Sequence, residues 1–171
     1  MASIIKANEL QDFGGNSIIT SDGAGNVTVN AQGLQNTPAF YVTQTSVQSL
    51  GDNTGTTLIF GTTVYDTDNC MSSTTFTVPS GGAGTYFFYS YYRINTTTDS
   101  VRLSIDIKVN SSSIANYNNN QNDENSTGVS GSAVLSVGDE VTVTTFQNTG
   151  GAVNTKNGVS TIFGGHKLIG A

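Results

Sequence analysis

Residues able to act on a bond are few and lie far apart. The chain has one histidine, His166, between Gly165 and Lys167 in a strand-like run, and one cysteine, Cys70, beside Met71. It contains no nucleophile elbow, no zinc-binding histidine pair and no paired thiols. His166 reads as lining a subunit axis or facing solvent. Cys70, without an activating base nearby, reads as a plain thiol. Gly81-Gly82-Ala83-Gly84 lacks the Lys-Ser/Thr of a phosphate loop, so its glycines suit a bend between strands. Oxygen donors cluster twice, in Asp66-x-Asp68-Asn69 and in Asn122-Asp123-Glu124-Asn125. Hard cations take such donors, which makes Asp66, Asp68, Asp123 and Glu124 candidate calcium ligands, although neither cluster has EF-hand spacing. No catalytic residue and no cofactor is assigned. A glycan-active enzyme would need two carboxylates facing each other across a cleft, and the acids here fall mostly in turns.

The composition narrows the partners. Charged residues make up 11% of the 171 residues, against ~25% in an ordinary domain. The net charge is −6 and the aromatic share 9%, a combination that excludes disorder, which needs low hydrophobicity with high charge. A folded chain of this length buries roughly 70% of its unfolded surface. Lys6, Arg93, Arg102, Lys108, Lys156 and Lys167 stand singly and cannot form a phosphate-neutralising stripe, so no nucleic-acid partner is expected. No run approaches the ~18 apolar residues of a membrane span. Met1 to Lys6 lacks the pattern of a secretory signal and a lone cysteine permits no internal disulfide, which predicts folding in a cytoplasm.

The elements that must position these residues are strands. Only Ile5 to Gln11 has helical character, and a helix that short is marginal. Ser17–Thr20 and Asn26–Val29 flank a glycine-bearing turn and predict a hairpin. A lone hairpin is marginal too, so it must pack on the main body or on a neighbouring chain. Ala31 to Pro38 reads as a linker. Further strands are predicted at 39–43, 57–61, 74–78, 85–94, 100–110, 132–136, 140–147 and 158–169, with Asn157-Gly158 as the strongest hairpin turn. The asparagine-rich stretch from Asn116 to Asn125 reads as an exposed loop. The chain thus divides into an N-terminal segment, 1–36, and a β head, 37–171.

The most specific run is Phe76-Thr77-Val78-Pro79, then Gly84-Thr85-Tyr86-Phe87-Phe88 and Tyr89-Ser90-Tyr91-Tyr92. It resembles the signature of the complement component one-q (C1q) globular head and the related tumour necrosis factor-like domains. Ala39-Phe40-Tyr41-Val42, Tyr65-Asp66, Gly138-Asp139-Glu140-Val141 and Ser160-Thr161-Ile162-Phe163-Gly164 resemble further family marks, in order. Two extra residues before Gly84, and Ser90 at an aromatic position, depart from the pattern. The resemblance implies an all-β antiparallel jelly-roll sandwich that assembles as a homotrimer. Alternation along the aromatic strand puts Tyr86 and Phe88 on one face and Phe87, Tyr89 and Tyr91 on the other. Two aromatic faces imply two buried surfaces. By analogy with the family, Tyr86, Phe88 and Phe163 belong to the core, and Phe87, Tyr89, Tyr91, Ile162 and His166 to the trimer interface. On a monomer the second face would be half-exposed.

The N-terminal segment is similar to the leading segments of bacteriophage tail-fibre and virion-appendage proteins. That likeness implies a non-enzymatic virion structural protein, made in the host cytoplasm, with Ile4, Ile5, Leu10, Ile18 and Ile19 docking on the particle. Asn116, Tyr117, Asn118, Asn119 and Asn120 form a candidate receptor loop for host surface glycan. The alternative is a capsid decoration protein that clamps the shell and binds no host.

Overall fold

The computed structural model describes residues 7–30, 35–96, 102–119 and 125–168. These contain no helix, as β-branched and aromatic runs cut by Gly, Asn and Asp dictate. Strands β1 (Glu9–Gln11), β2 (Ser17–Ser21) and β3 (Val27–Val29) make a separate antiparallel sheet in chain order. The next strands are β4 (Ala39–Gln44), β5 (Ser49–Leu50), β6 (Thr56–Thr57), β7 (Thr62–Asp66), β8 (Thr75–Thr77) and β9 (Gly84–Asn95). They are followed by β10 (Leu103–Val109), β11 (Ser112–Asn119), β12 (Ser126–Leu135), β13 (Glu140–Gln147), β14 (Val153–Thr155) and β15 (Gly158–Lys167).

These later strands form a jelly-roll sandwich. One sheet runs β12-β9-β15-β4-β7, with β14 also along β9 and β5 beside it. The other runs β11-β10-β13-β6, with β8 also on β13. Between them Phe40, Tyr86, Phe88 and Phe163 of the first sheet meet Leu103, Ile105, Ile107, Val141 and Val143 of the second, all fully buried. Phe40 is central, its ring 4.9 Å from both Phe76 and Phe163. Burying each such side chain contributes about 1.5–3 kcal/mol. Tyr92 ties the sheets together, its hydroxyl shared between the Ser104 and Phe146 carbonyls at 3.2 and 3.1 Å. Ser90, the departure from the aromatic pattern, is buried and donates to the Ile162 carbonyl at 2.7 Å.

Several expectations are corrected. Glu9 to Gln11, read as part of a short helix, pair with β2 as a strand. Asn116 to Asn119, read as loop, lie in β11 and pair with β10 from Leu103 to Asp106. An asparagine-rich strand survives because its amides are bonded: Asn116 Nδ2 donates across the ladder to the Ile105 carbonyl at 3.2 Å, and Asn118 Nδ2 donates along the strand to Asn116 Oδ1 at 2.9 Å. Asn157-Gly158 does not close a hairpin. Strands β14 and β15 both run antiparallel to β9, and residues 157–160 bulge out between the pairs Thr155 with Ile94 and Thr161 with Tyr92. Thr161 Oγ1 closes the bulge on the Lys156 carbonyl at 2.6 Å.

Instead of a strand, Leu58 to Gly61 form a crossing between sheets. Leu58 N bonds the Val143 carbonyl on one side and Gly61 N the Thr43 carbonyl on the other. The glycines of β12 mark close approach. A Cβ on Gly131 would stand 2.7 Å from Ala115 Cβ of β11.

Candidate functional site

The sandwich has two outer faces of opposite character. On the β11-β10-β13 side, β10 presents Asp106 and Lys108, a 3.8 Å ion pair, while β13 presents Thr142 and Thr144 and β11 presents Asn116 and Asn118. Phe146 there lies under the Arg102 guanidinium at 5.3 Å. On the other side the pleat of β9 turns Phe87, Tyr89 and Tyr91 outward, each half-buried.

Register assembles their neighbours. His166 of β15 stands opposite Phe87, Gly164 opposite Tyr89, and Ile162 opposite Tyr91. One strand further, Tyr41 stands opposite Gly164, and Tyr65 of β7 opposite Tyr41. The rings of Tyr89 and Tyr41 stack at 6.4 Å, Tyr41 and Tyr65 lie 6.2 Å apart, and Phe87 lies 5.9 Å from His166. Burial, with Tyr65 and Tyr41 alongside, holds the Tyr89 phenol above its ordinary pKa. On the opposite flank β12 contributes only small outward residues beside these rings, with Ser132, Ser130 and Gly128 opposite Phe87, Tyr89 and Tyr91. The result is one continuous aromatic surface across four strands, bordered on β9 by the exposed Arg93. Tyr41 and Tyr65 were not foreseen as part of it, yet the alternation Phe40 inward, Tyr41 outward was the available signal.

Gly164 is what lets the tyrosines meet. A Cβ there would stand 2.4 Å from Tyr89 Oη, so only glycine leaves room for the ring to cross β15 toward Tyr41. Its neighbour Gly165 faces the core, where a Cβ would stand 2.5 Å from Phe88 Cδ1 and 3.1 Å from Phe40 Cε1. The two alanine substitutions therefore have different expected outcomes. Gly165→Ala overpacks a close-packed core and costs about 1–3 kcal/mol, a thermal midpoint lowered by roughly 3–10 °C. Gly164→Ala displaces an outer ring, so at concentrations too low for chains to associate its midpoint stays within a few degrees of wild type while the aromatic surface is broken. Circular dichroism melts of both variants check this.

The other predicted site residues do not converge. Tyr86, Phe88 and Phe163 lie in the core with no exposure. Tyr86 Oη also donates to the Gly82 carbonyl at 2.6 Å and fastens the Gly81–Gly84 bend. Leu10, Ile18 and Ile19 lie in the N-terminal sheet, and Ile18 points to the face opposite Ile19. Asn116, Tyr117 and Asn118 are exposed on β11, whereas Asn119 is buried. Ile4, Ile5, Asn120, Asp123 and Glu124 lie outside the described residues.

Asp66 turns its carboxylate into its own loop, accepting from the Cys70 and Met71 amides at 3.1 and 2.9 Å and from Cys70 Sγ at 3.2 Å. Burial opposes its ionisation, but those amide bonds outweigh it and hold the Asp66 pKa below the ordinary value. The Asp68 carboxylate accepts from Thr67 Oγ1 at 2.5 Å. Among the described residues no group of three or more His, Cys, Asp or Glu side chains is arranged to hold a metal. Burial, reinforced by the Asp66 carboxylate, pushes the Cys70 thiol far above its ordinary pKa. Cys70 should therefore resist maleimide at neutral pH in the folded chain and react once urea unfolds it, as mass spectrometry would record.

Comparison with known proteins decides the family. A profile of the C1q domain matches residues 39–168, from the first residue of β4 to just past β15. The chain belongs to the C1q domain family. Among solved structures the C1q head of this chain is similar to the globular domain of zebrafish complement 1qA, at 20% identity and a TM-score of 0.54, covering 77% of this chain and 97% of that one. It is also similar to murine APRIL, at 18% identity and a TM-score of 0.54, covering 76% and 98%. No curated protein matches the sequence. At these identities the structural likeness carries the fold alone.

Proposed function

We propose that this chain is a non-enzymatic structural protein of a bacteriophage particle, a homotrimer of C1q heads held on the virion by its N-terminal segment. The observation that carries the trimer is the contrast between the outer faces. Phe87, Tyr89, Tyr91, Tyr41 and Ile162 form an uncharged surface that a lone chain leaves half in water, while the opposite face is threonine, asparagine and paired charge. Contiguous aromatic surface of this kind is what the centre of a protein interface is made of.

Three heads around one axis turn the Asn116–Asn118 strands outward three times. Exposed amides at Asn116 and Asn118 suit the hydroxyls of a host surface glycan, and three weak sites add by avidity. The virion role rests on the likeness of the N-terminal segment to phage appendage proteins and on its forming a sheet separate from the head. Deleting residues 1–33 tests it: the shortened chain should remain soluble and assembled yet be absent from purified particles. Particles that still carry it would overturn the tether.

A further inference from the structure

The N-terminal sheet has a sidedness that nothing in its own chain uses. Pairing aligns Leu10 with Ile19 and Ile19 with Val29, so the three side chains form one row across β1, β2 and β3. Val27, opposite Ser21, extends the same face. The other face carries Glu9, Thr20 and Thr28, with Ile18 among them. Leu10 and Val27 are more than half exposed, at 56% and 60%.

The sheet is nonetheless closely specified. Both of its turns repeat one device ten residues apart. Asp12 accepts from the Asn16 amide and side chain at 2.9 and 2.9 Å, and Asp22 from the Asn26 amide and side chain at 3.1 and 2.6 Å. These bonds hold both carboxylates below their ordinary pKa. Turns fixed this way set the register that keeps the aliphatic row on one side. Strands of three to five residues that leave such a row in water bury little apolar surface to offset the cost of ordering them.

Size and charge select the occupant. Four aliphatic side chains offer roughly a few hundred Å², well below the roughly 1,000 Å² that two free partners need. Such a patch closes only on something already tethered beside it. Asn30 is nine residues from Ala39, where β4 enters the aromatic sheet, a reach of at most about 30 Å. Copies of this segment on neighbouring heads are therefore held at millimolar effective concentration. The only charges between residues 7 and 30 are Glu9, Asp12 and Asp22. None lies in the aliphatic row, so acidic chains can meet there without opposing like charges.

We infer that the β1–β3 sheets of three chains pack their Leu10–Ile19–Val29 faces together around the head axis, forming a short all-β stalk with its own core. The inference rests on the trimeric reading of the head. It leaves Ile18 and the outer face, rather than Leu10 and Ile19, to contact a particle.

Cross-linking of the full chain tests it. Ile19→Cys places a thiol on the central strand facing the axis, and Thr20→Cys places one on the opposite face. At low micromolar concentration a short bismaleimide should join Ile19→Cys chains into covalent dimers at least tenfold more than Thr20→Cys chains, with wild type as the Cys70 control. Deuterium exchange on the unmodified chain reads the same feature: amides 18–20 and 28–29 should be protected at least about 100-fold over a free peptide. A native trimer in which both variants react alike, or in which these amides exchange freely, overturns the stalk and leaves the head trimer standing. A native monomer overturns the head trimer and the stalk with it.

Discussion

A Tyr89→Asp chain should run as a folded monomer at concentrations where the wild type is assembled. Tyr89 is the hub of the outer face, stacked on Tyr41 and lying over Gly164. A carboxylate closed into that surface loses its water without gaining a partner, at a cost of several kcal/mol. Around a three-fold axis it would also meet two copies of itself. An apparent dissociation constant raised at least about 100-fold corresponds to only ~2.7 kcal/mol, so this is a lower bound. The ring is outside the core, so the circular dichroism spectrum should be unchanged. Sedimentation velocity separates the outcomes, and a variant that still sediments with the wild type would remove Tyr89 from the interface.

Phe88→Ala, one residue away, should instead damage the fold. Phe88 has no exposure, and its ring lies 5.6 Å from Phe76, 5.8 Å from Tyr86 and 6.1 Å from Phe163. Truncating a buried phenylalanine costs about 3–5 kcal/mol, a large part of the 5–15 kcal/mol that holds a typical domain together. In urea the midpoint should fall by roughly 1–3 M. Placing the change in the Tyr89→Asp background separates folding from association, since assembly raises apparent stability by mass action. A loss below about 1 kcal/mol would mean the four-ring cluster does not hold the two sheets as its geometry implies. Neighbouring aromatics on one strand thus answer to different measurements, because alternation sends one inward and the next outward.

That alternation is legible in the sequence. The order of the family marks from Ala39 to Leu168 and the split of Tyr86 and Phe88 from Phe87, Tyr89 and Tyr91 both follow from residue type and period. The sequence misled where one composition serves two purposes. Asn116 to Asn119 look like loop because asparagine favours turns, but in β11 the Asn116 amide bonds the Ile105 carbonyl of the neighbouring strand and the Asn118 amide bonds Asn116. Asn157-Gly158 has hairpin chemistry, yet the same left-handed geometry, with Gly158 at φ +65°, serves a bulge in a strand path already paired to β9. Gly131 carries no signal of its own in the sequence, yet its missing side chain is what lets β12 approach β11. The contributions of Tyr41 and Tyr65 to the aromatic face depend on which strands become neighbours, and that is set by long-range pairing.

The claim that joins these observations is that the aromatic sheet face is buried against other copies of the chain. The intact mass of the full-length wild-type protein under non-denaturing conditions tests it most directly. Three copies of the 17.8 kDa chain should appear as one species of about 53 kDa that persists on dilution to low micromolar concentration. A dominant 17.8 kDa species at that concentration would contradict it.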